Sequence, residues 1–279
     1  MSVRQPAVAG SFYPVRPEEL KKSIENSFLH DKGPGRLPVE KKQERDIISV
    51  ICPHAGYQYS GPCAAHSYLH LAEQKTPETV IMLGPNHTGW GSPVSMYGEG
   101  SWKTPLGTVE VDEELARELF TNSDVVDYDE SAHIREHSLE VQLPFLQYIY
   151  EDFKILPITM GYQDLKTSIE VGEAISKTIP GKKVVILASS DLTHQEPQES
   201  ANRKDTLILD SVKAMDERTL QKTVKENRIT TCGYGPMSVA LIVSKDKGAS
   251  KAELLQYYTS GDIIRDYRSV VGYASFKII

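Results

Sequence analysis

Eight histidines and three cysteines are scattered through a chain of 279 residues. The informative ones share a setting. Ile47 to Cys52, a β-branched apolar run, leads into Pro53-His54-Ala55-Gly56-Tyr57. Thr79 to Leu83 leads into Gly84-Pro85-Asn86-His87, and Lys183 to Ala188 into Ser189-Ser190-Asp191-Leu192-Thr193-His194. A thiol follows in the tight turn Thr230-Thr231-Cys232-Gly233-Tyr234-Gly235-Pro236, just before a predicted helix. Imidazole nitrogen and thiolate sulfur suit zinc, iron or copper far better than magnesium or calcium. A set of His, His and Cys leaves positions open on a metal for water or substrate. A further His or Asp nearby would act as a general base or hydrogen-bond the bound ligand. At a helix N-terminus, the local dipole is expected to favour the Cys232 thiolate.

Taken singly, each of these residues has an ordinary explanation. A lone His in a turn is most often a hydrogen-bonded polar residue, and a lone Cys most often a buried, inert one. Cys52 and Cys63 are read as core residues. His66 and His70 stand four apart on a predicted helix, but no third ligand accompanies them. Glu136-His137-Ser138 and Glu140 open another predicted helix, on which His137 and Glu140 share a face. Either these two hydrogen-bond and orient a metal-bound His, or they are a plain polar helix start.

The elements that must gather these residues alternate along the chain. Strands are predicted at the three runs above, at Lys154 to Met160, where Pro157 argues for an irregularity, and at Leu254 to Thr259 and Ser269 to Ile278. Short apolar strands of this kind sit in a sheet covered on both faces. Helices are predicted at Pro17 to Leu29, Pro62 to Ala72, Asp112 to Phe120, His137 to Tyr150 with a kink or restart at Pro144, Leu165 to Thr178, Asp205 to Met215, and Met237 to Val243. Gly89 to Val111 reads as a loop and hairpin excursion. Gly33-Pro34-Gly35 is the only linker-like spot and lies too early to divide two domains. The expectation is an α/β chain, residues 1–279 as one domain, in an α/β/α layered fold with a central mostly parallel or mixed sheet. In such sheets ligands bind outside the carboxyl ends of the strands. If the three His-bearing runs are parallel neighbours, His54, His87, Asp191 and His194 share one rim.

Composition narrows the function classes. A net charge of −7 lacks the basic footprint of a nucleic-acid binder. No apolar run approaches the roughly 20 residues that cross a bilayer. Met1 to Pro14 lacks the pattern of a signal peptide, and three cysteines make a poor disulfide framework. A cytoplasmic protein without nucleic-acid or membrane partners is expected.

The same residues carry a resemblance. The segments Arg4-Gln5-Pro6-Ala7-Val8-Ala9-Gly10-Ser11-Phe12-Tyr13-Pro14, Pro53-His54-Ala55-Gly56-Tyr57, Leu83-Gly84-Pro85-Asn86-His87, Glu136-His137-Ser138-Leu139-Glu140, Ser189-Ser190-Asp191-Leu192-Thr193-His194 and Thr231-Cys232-Gly233 occur in family order over nearly the whole chain. Together they resemble the Memo family, named for a mediator of ErbB2-driven cell motility and including the microbial AmmeMemoRadiSam system protein B. The resemblance implies a fold similar to class III extradiol dioxygenases, which bind Fe(II) through two His and a carboxylate. By that likeness His54 and His87 match the His ligands, and Cys232 stands where the carboxylate would be. His194 matches the acid/base His, and Asp191 lines the same pocket. The thiolate widens the metal choice to Fe(II) or Cu, with Zn a further candidate, so ring cleavage does not follow from the fold. The resemblance also implies redox effects, phosphotyrosine-peptide binding in animal members, and radical-SAM partner proteins in microbes.

Two readings follow. In the first the chain is a metal-dependent redox enzyme of unassigned substrate: His54, His87 and Cys232 hold the metal, His194 moves protons, and Asp191 orients His194 or completes the metal shell. In the second the pocket is a binding module for a peptide or small acidic ligand, with imidazoles as donors and the Ser11-Phe12-Tyr13 segment, through Ser11 and Tyr13, beside them. Metal-assisted hydrolysis, with His194 as base, is a third.

Overall fold

In the computed structural model, which describes residues 2–39 and 43–279, the first half of the chain forms β1 (Val3–Arg4), α1 (Pro17–Leu29), β2 (Ser49–Cys52), α2 (Tyr57–Ala72), β3 (Thr79–Pro85), β4 (Val94–Met96), β5 (Ser101–Thr104), β6 (Gly107–Glu110), α3 (Glu113–Thr121) and β7 (Asp127–Tyr128). The second half forms α4 (Leu143–Ile149), β8 (Lys154–Met160), α5 (Leu165–Thr178), β9 (Val184–Ser189), β10 (His194–Glu196), α6 (Gln198–Lys213), α7 (Glu217–Glu226), α8 (Tyr234–Asp246), β11 (Ala252–Thr259), α9 (Ser260–Ile264) and β12 (Val270–Ile278).

The apolar runs lie side by side. A nine-stranded sheet has the order β10-β12-β2-β9-β3-β8-β4-β7, with β11 added on β12. Its centre, β2-β9-β3-β8, is parallel. The flanks are antiparallel where β12 meets β2 and β4 meets β8, so the sheet is mixed around a parallel core. Every residue of β2 and β3 is buried, which is why those runs, after Ser49 and Thr79, are apolar instead of alternating.

The direction of travel puts helices on both faces. β2-α2-β3 steps one way across the sheet, and β8-α5-β9 steps back the other way. Right-handed crossovers then place α2 and α5 on opposite faces. With α2 pack α1 and α4; with α5 pack α7 and α8. The result is the α/β/α sandwich expected from the alternation. A small sheet, β1-β5-β6, lies apart and includes the hairpin of the Gly89 to Val111 excursion.

Local chemistry explains most boundaries. Pro17 opens α1, and Leu20, Ile24 and Phe28 form its buried stripe. Asp112, Asp164 and Asp216 cap α3, α5 and α7 by accepting backbone N–H bonds one turn on.

Three expectations need correction. Helix α2 begins at Tyr57, five residues before the predicted start, with Pro62 inside it. The Tyr258 hydroxyl sits at the opening this creates, accepting from Cys63 N (3.1 Å) and donating to the Tyr59 carbonyl (2.7 Å). The predicted helix from His137 to Tyr150 is shorter: a 3₁₀ turn at Glu140–Gln142 precedes α4, which restarts at Leu143 with Pro144 in its first turn. His137 is therefore on no helix. Helices α6 and α8 run longer than predicted, and α7 was not anticipated; its residues are mostly polar, with Leu220 and Val224 as buried anchors. Among the described residues, no helix is long and apolar enough to cross a membrane.

Candidate metal centre

Strands β2, β9 and β3 are parallel neighbours, with Cys52 opposite Ser189 and Ala188 opposite Leu83. Their carboxyl ends release His54, Asp191 and His87 onto one rim. Cys232 arrives from the turn before α8, where Gly233 packs so close that a Cβ would lie 2.4 Å from the Ser189 carbonyl oxygen. Ligand atoms of His54, His87 and Cys232 all fall within 4.8 Å of one another. His54 Nε2 is 3.2 Å from Cys232 Sγ, and the His54 and His87 rings meet edge to face at 5.3 Å between centroids.

Hydrogen bonds decide which nitrogens are bare. His87 Nδ1 lies 2.9 Å from Glu136 Oε1. A carboxylate only accepts, so the proton sits on Nδ1 and Nε2 is free. Burial works against ionising Glu136, but the His87 bond and charge, the His137 charge and the Ser138 N–H outweigh it and hold it at about 2. For His87, burial disfavours the charged ring, and the Glu136 hydrogen bond and charge more than compensate, leaving its pKa raised. His54 is 2% exposed. Burial, then the charges of His137, His87 and His194, push its pKa well below the usual value, so it offers a lone pair.

Asp191 knits the centre together. Its Oδ1 accepts from His54 N at 2.7 Å, and its own N–H points at Cys232 Sγ at 3.2 Å. Burial raises its carboxyl from the usual range, against the pull of the His194 charge. The Cys232 thiol is driven well above its ordinary value by burial and by the Asp191 carboxylate. This reverses the expected helix-dipole activation: Gly233 and not Cys232 caps α8, and burial beside an anion outweighs a dipole one residue away. Such a thiol needs a cation to ionise.

Of the other expected site residues, His194 lines the cavity, and its Nδ1 lies 2.9 Å from the Thr230 carbonyl, which makes Nε2 the exchangeable position. The adjoining Gln195 has a positive φ of 57°, strain of the kind held at functional turns. His137 also lines the cavity, stacked on His87 at 4.6 Å. Glu140, Tyr13 and Ser11 have other partners. Glu140 accepts from Arg4 Nη1 (2.6 Å), Ala7 N (2.7 Å), Val8 N (3.0 Å) and the Tyr13 hydroxyl (2.6 Å). Tyr13 is thus turned inward by that carboxylate and does not reach the cavity. Ser11 is exposed and donates to the Val8 carbonyl. Phe12, between them, lines the pocket against His137, ring centroids 4.7 Å apart. The carboxylate that hydrogen-bonds His87 is Glu136 and not Glu140, because the segment is a turn where a helix is predicted.

The cavity has a volume of about 460 Å³. Its lining combines the polar His54, His87, His137, His194 and Asp191 with the apolar or aromatic Phe12, Tyr59, Ile264, Val271 and Tyr273. The donors fit a transition metal: two imidazoles, each with Nδ1 held by a neighbour, and a sulfur. A tetrahedral ion with typical bond lengths separates N and S donors by about 3.5 Å, close to the 3.2 Å between His54 and Cys232.

The comparisons agree with the residue pattern. A family model described as "Memo-like protein" matches residues 4–277. A MEMO1 family protein of Methanopyrus kandleri is 50% identical over 275 residues, covering 98% of this chain and 97% of the relative. One from Methanocaldococcus jannaschii is 49% identical, with 98% of each chain covered, and one from Sulfolobus acidocaldarius 49% identical with 99% of each covered. Among solved structures, an uncharacterised protein from Escherichia coli K12 superposes with a TM-score of 0.59 at 12% identity, over 84% of this chain and 100% of that one. That last likeness is one of fold alone. On the family model and these relatives, the chain belongs to the Memo family.

Proposed function

We propose that this chain binds one transition-metal ion through His54 Nε2, His87 Nε2 and Cys232 Sγ, iron or copper first and zinc next, and uses it in redox chemistry on a small molecule. The observation that carries the reading is the convergence of these three donors within 4.8 Å, each imidazole already oriented with its bare nitrogen available. A bound iron or copper ion supplies Lewis acidity and one-electron exchange. The chain's own residues do the rest. His194 takes or gives a proton at Nε2, with Nδ1 held by Thr230. Asp191 holds the His54 backbone and hydrogen-bonds the sulfur through its N–H. Phe12, Tyr59, Ile264 and Tyr273 supply the apolar part of the cavity lining, which receives the body of the ligand and limits water.

The test is anaerobic reconstitution with Fe(II), Cu(I) and Zn(II) in turn, with bound metal measured after desalting. Wild type is expected to keep one ion per chain, and Cys232→Ala and His54→Ala to lose it. Equal, poor retention by all three proteins would sink the proposal. The binding-module reading draws on a cavity lined by aromatic side chains and four imidazoles together, a setting for an acidic ligand with an apolar body. It gains if metal-free protein binds a phosphotyrosine peptide and Phe12→Ala abolishes that binding.

A further inference from the structure

One ligand's supporting partners have no assigned role. His54 Nδ1 lies 2.8 Å from Ser189 Oγ. That hydroxyl has one proton, and it donates it to the Ser138 carbonyl at 2.8 Å. Ser189 also receives Gln142 Nε2–H at 2.8 Å. The hydroxyl is therefore saturated: toward His54 it can only accept. Gln142 cannot turn its amide over, because Nε2 also donates to the Pro53 carbonyl (3.0 Å) and Oε1 accepts from the Tyr68 hydroxyl (2.5 Å). A flip would set the amide oxygen against the Pro53 carbonyl. Gln142, Ser189, Ser138, Tyr68 and His54 are each at most 2% exposed, so water does not substitute for any of these bonds.

We propose that Gln142, acting through Ser189, is a positioning residue that fixes His54 as the Nδ1–H tautomer, so that its Nε2 lone pair faces Cys232 Sγ. Glu136 does the same for His87 from the same segment. Residues 136–142 thus set both imidazoles at once. The proposal rests on the metal reading above only for its purpose; the tautomer itself exists with or without an ion.

Nitrogen-15 NMR of histidine-labelled, metal-free protein reads the tautomer directly. Wild type is expected to show the protonated nitrogen of His54 as Nδ1, and Ser189→Ala and Gln142→Met to show mixed tautomers. Co(II) affinity, measured by chelator competition, is expected to fall by about 10- to 100-fold in both variants. Ser49→Ala is the control for mere loss of a buried hydroxyl, since Ser49 bonds Ser244 at 2.6 Å near the amino end of the neighbouring strand; both readouts should stay at wild-type values. A wild-type protein that binds no Co(II) but shifts tautomer in Ser189→Ala removes the metal reading and supports the positioning. A wild-type protein that binds Co(II), with tautomer and affinity unchanged in both variants, overturns the positioning and leaves the metal reading standing.

Discussion

The N-terminal strap offers the sharpest test of how the pocket wall is held. Residues 4–13 reach the cavity through Phe12, yet Glu140 on the far side is what anchors them. Its carboxylate and the Arg4 guanidinium are both buried, with side chains 0% and 2% exposed. Glu140→Gln keeps the shape but leaves one acceptor oxygen for four donors. With that oxygen toward Val8 N and Tyr13, the new amide N–H₂ faces Ala7 N–H and Arg4 Nη1, donor against donor. Two bonds to a charged group are lost, at about 1.5–3 kcal/mol each. Arg4 keeps its bonds to the His133 and Glu136 carbonyls (2.9 and 2.6 Å) but loses its counter-charge. Breaking a buried pair on one side costs about 3–5 kcal/mol. At about 2 °C or more per kcal/mol for a chain of this size, the melting temperature should fall by at least about 6 °C. The chain has one cheaper escape, which is to release the strap and return Arg4 to water. Hydrogen exchange read by mass spectrometry separates the two: release makes the amides of Ala7, Val8, Gly10 and Ser11 exchange quickly while the sheet stays protected. A variant that melts within 2 °C of wild type with a strap still protected would refute the assignment of Glu140 as the anchor.

Glu136→Gln should weaken metal binding by about tenfold or more in chelator competition, because a neutral amide accepts less strongly from His87 Nδ1; the melting temperature of the sheet should move far less. His133 predicts a pH dependence of stability. It is fully buried, with Nε2 bonded to the Ser95 carbonyl and no partner for Nδ1, and burial lowers its pKa from 6.5 to about 4. The unfolded chain takes up that proton first, so the stability contributed by the neutral ring is complete above pH 6.5 and falls away as pH drops toward 4, by about 3 kcal/mol in total. Urea melts at pH 7, 5.5 and 4.5 should show His133→Gln losing less stability on acidification than wild type, and parallel profiles would contradict the assignment.

The rim was legible because its signal is local and repeated. A buried parallel strand must be apolar throughout, so IISVIC, TVIML and KVVILA stand out, and each polar residue released after such a run is conspicuous. That β9 inserts between β2 and β3 was a condition of the reading and not a consequence of it, because right-handed crossovers fix which face a helix covers and not the order of the strands. The supporting residues were hidden for the opposite reason. Glu136 and Glu140 are both glutamates flanking His137, and only the fold shows that one meets His87 while the other meets Arg4 and Tyr13. The three-residue spacing of His137 and Glu140 places them on one face only in a helix, and the segment is a turn. Ser189 looks like the last residue of a strand, and nothing local says that its hydroxyl is shared among His54, Gln142 and Ser138. The Cys232 thiol failed differently: a helix start was visible, but burial beside Asp191, 41 residues earlier in sequence, was not.

The same turn explains why Pro144, outside the pocket, matters to it. Proline has no N–H, so the Glu140 carbonyl loses its ordinary partner four residues on. Leu143 N–H takes that carbonyl instead, three residues on, and Gln142 N–H shifts likewise to the Leu139 carbonyl at 3.2 Å. Val141 N–H still reaches four back, to His137 at 3.1 Å. Between the two patterns the Ser138 carbonyl is passed over, and it is this carbonyl that takes the Ser189 proton. Pro144→Ala restores an N–H to residue 144 and lets the register relax to four-residue bonds throughout. Gln142 N–H then competes for Ser138, and its side chain is rotated away from Ser189. Pro144 stands in the first turn of α4, where proline is well tolerated, so stability should change by no more than about 1 kcal/mol, while the His54 tautomer becomes mixed and Co(II) affinity drops by about tenfold or more. A loss of affinity without a loss of stability is the signature. If Pro144→Ala leaves the tautomer and the affinity at wild-type values, the 3₁₀ turn is incidental to the site, and the coupling between backbone register and imidazole tautomer is wrong.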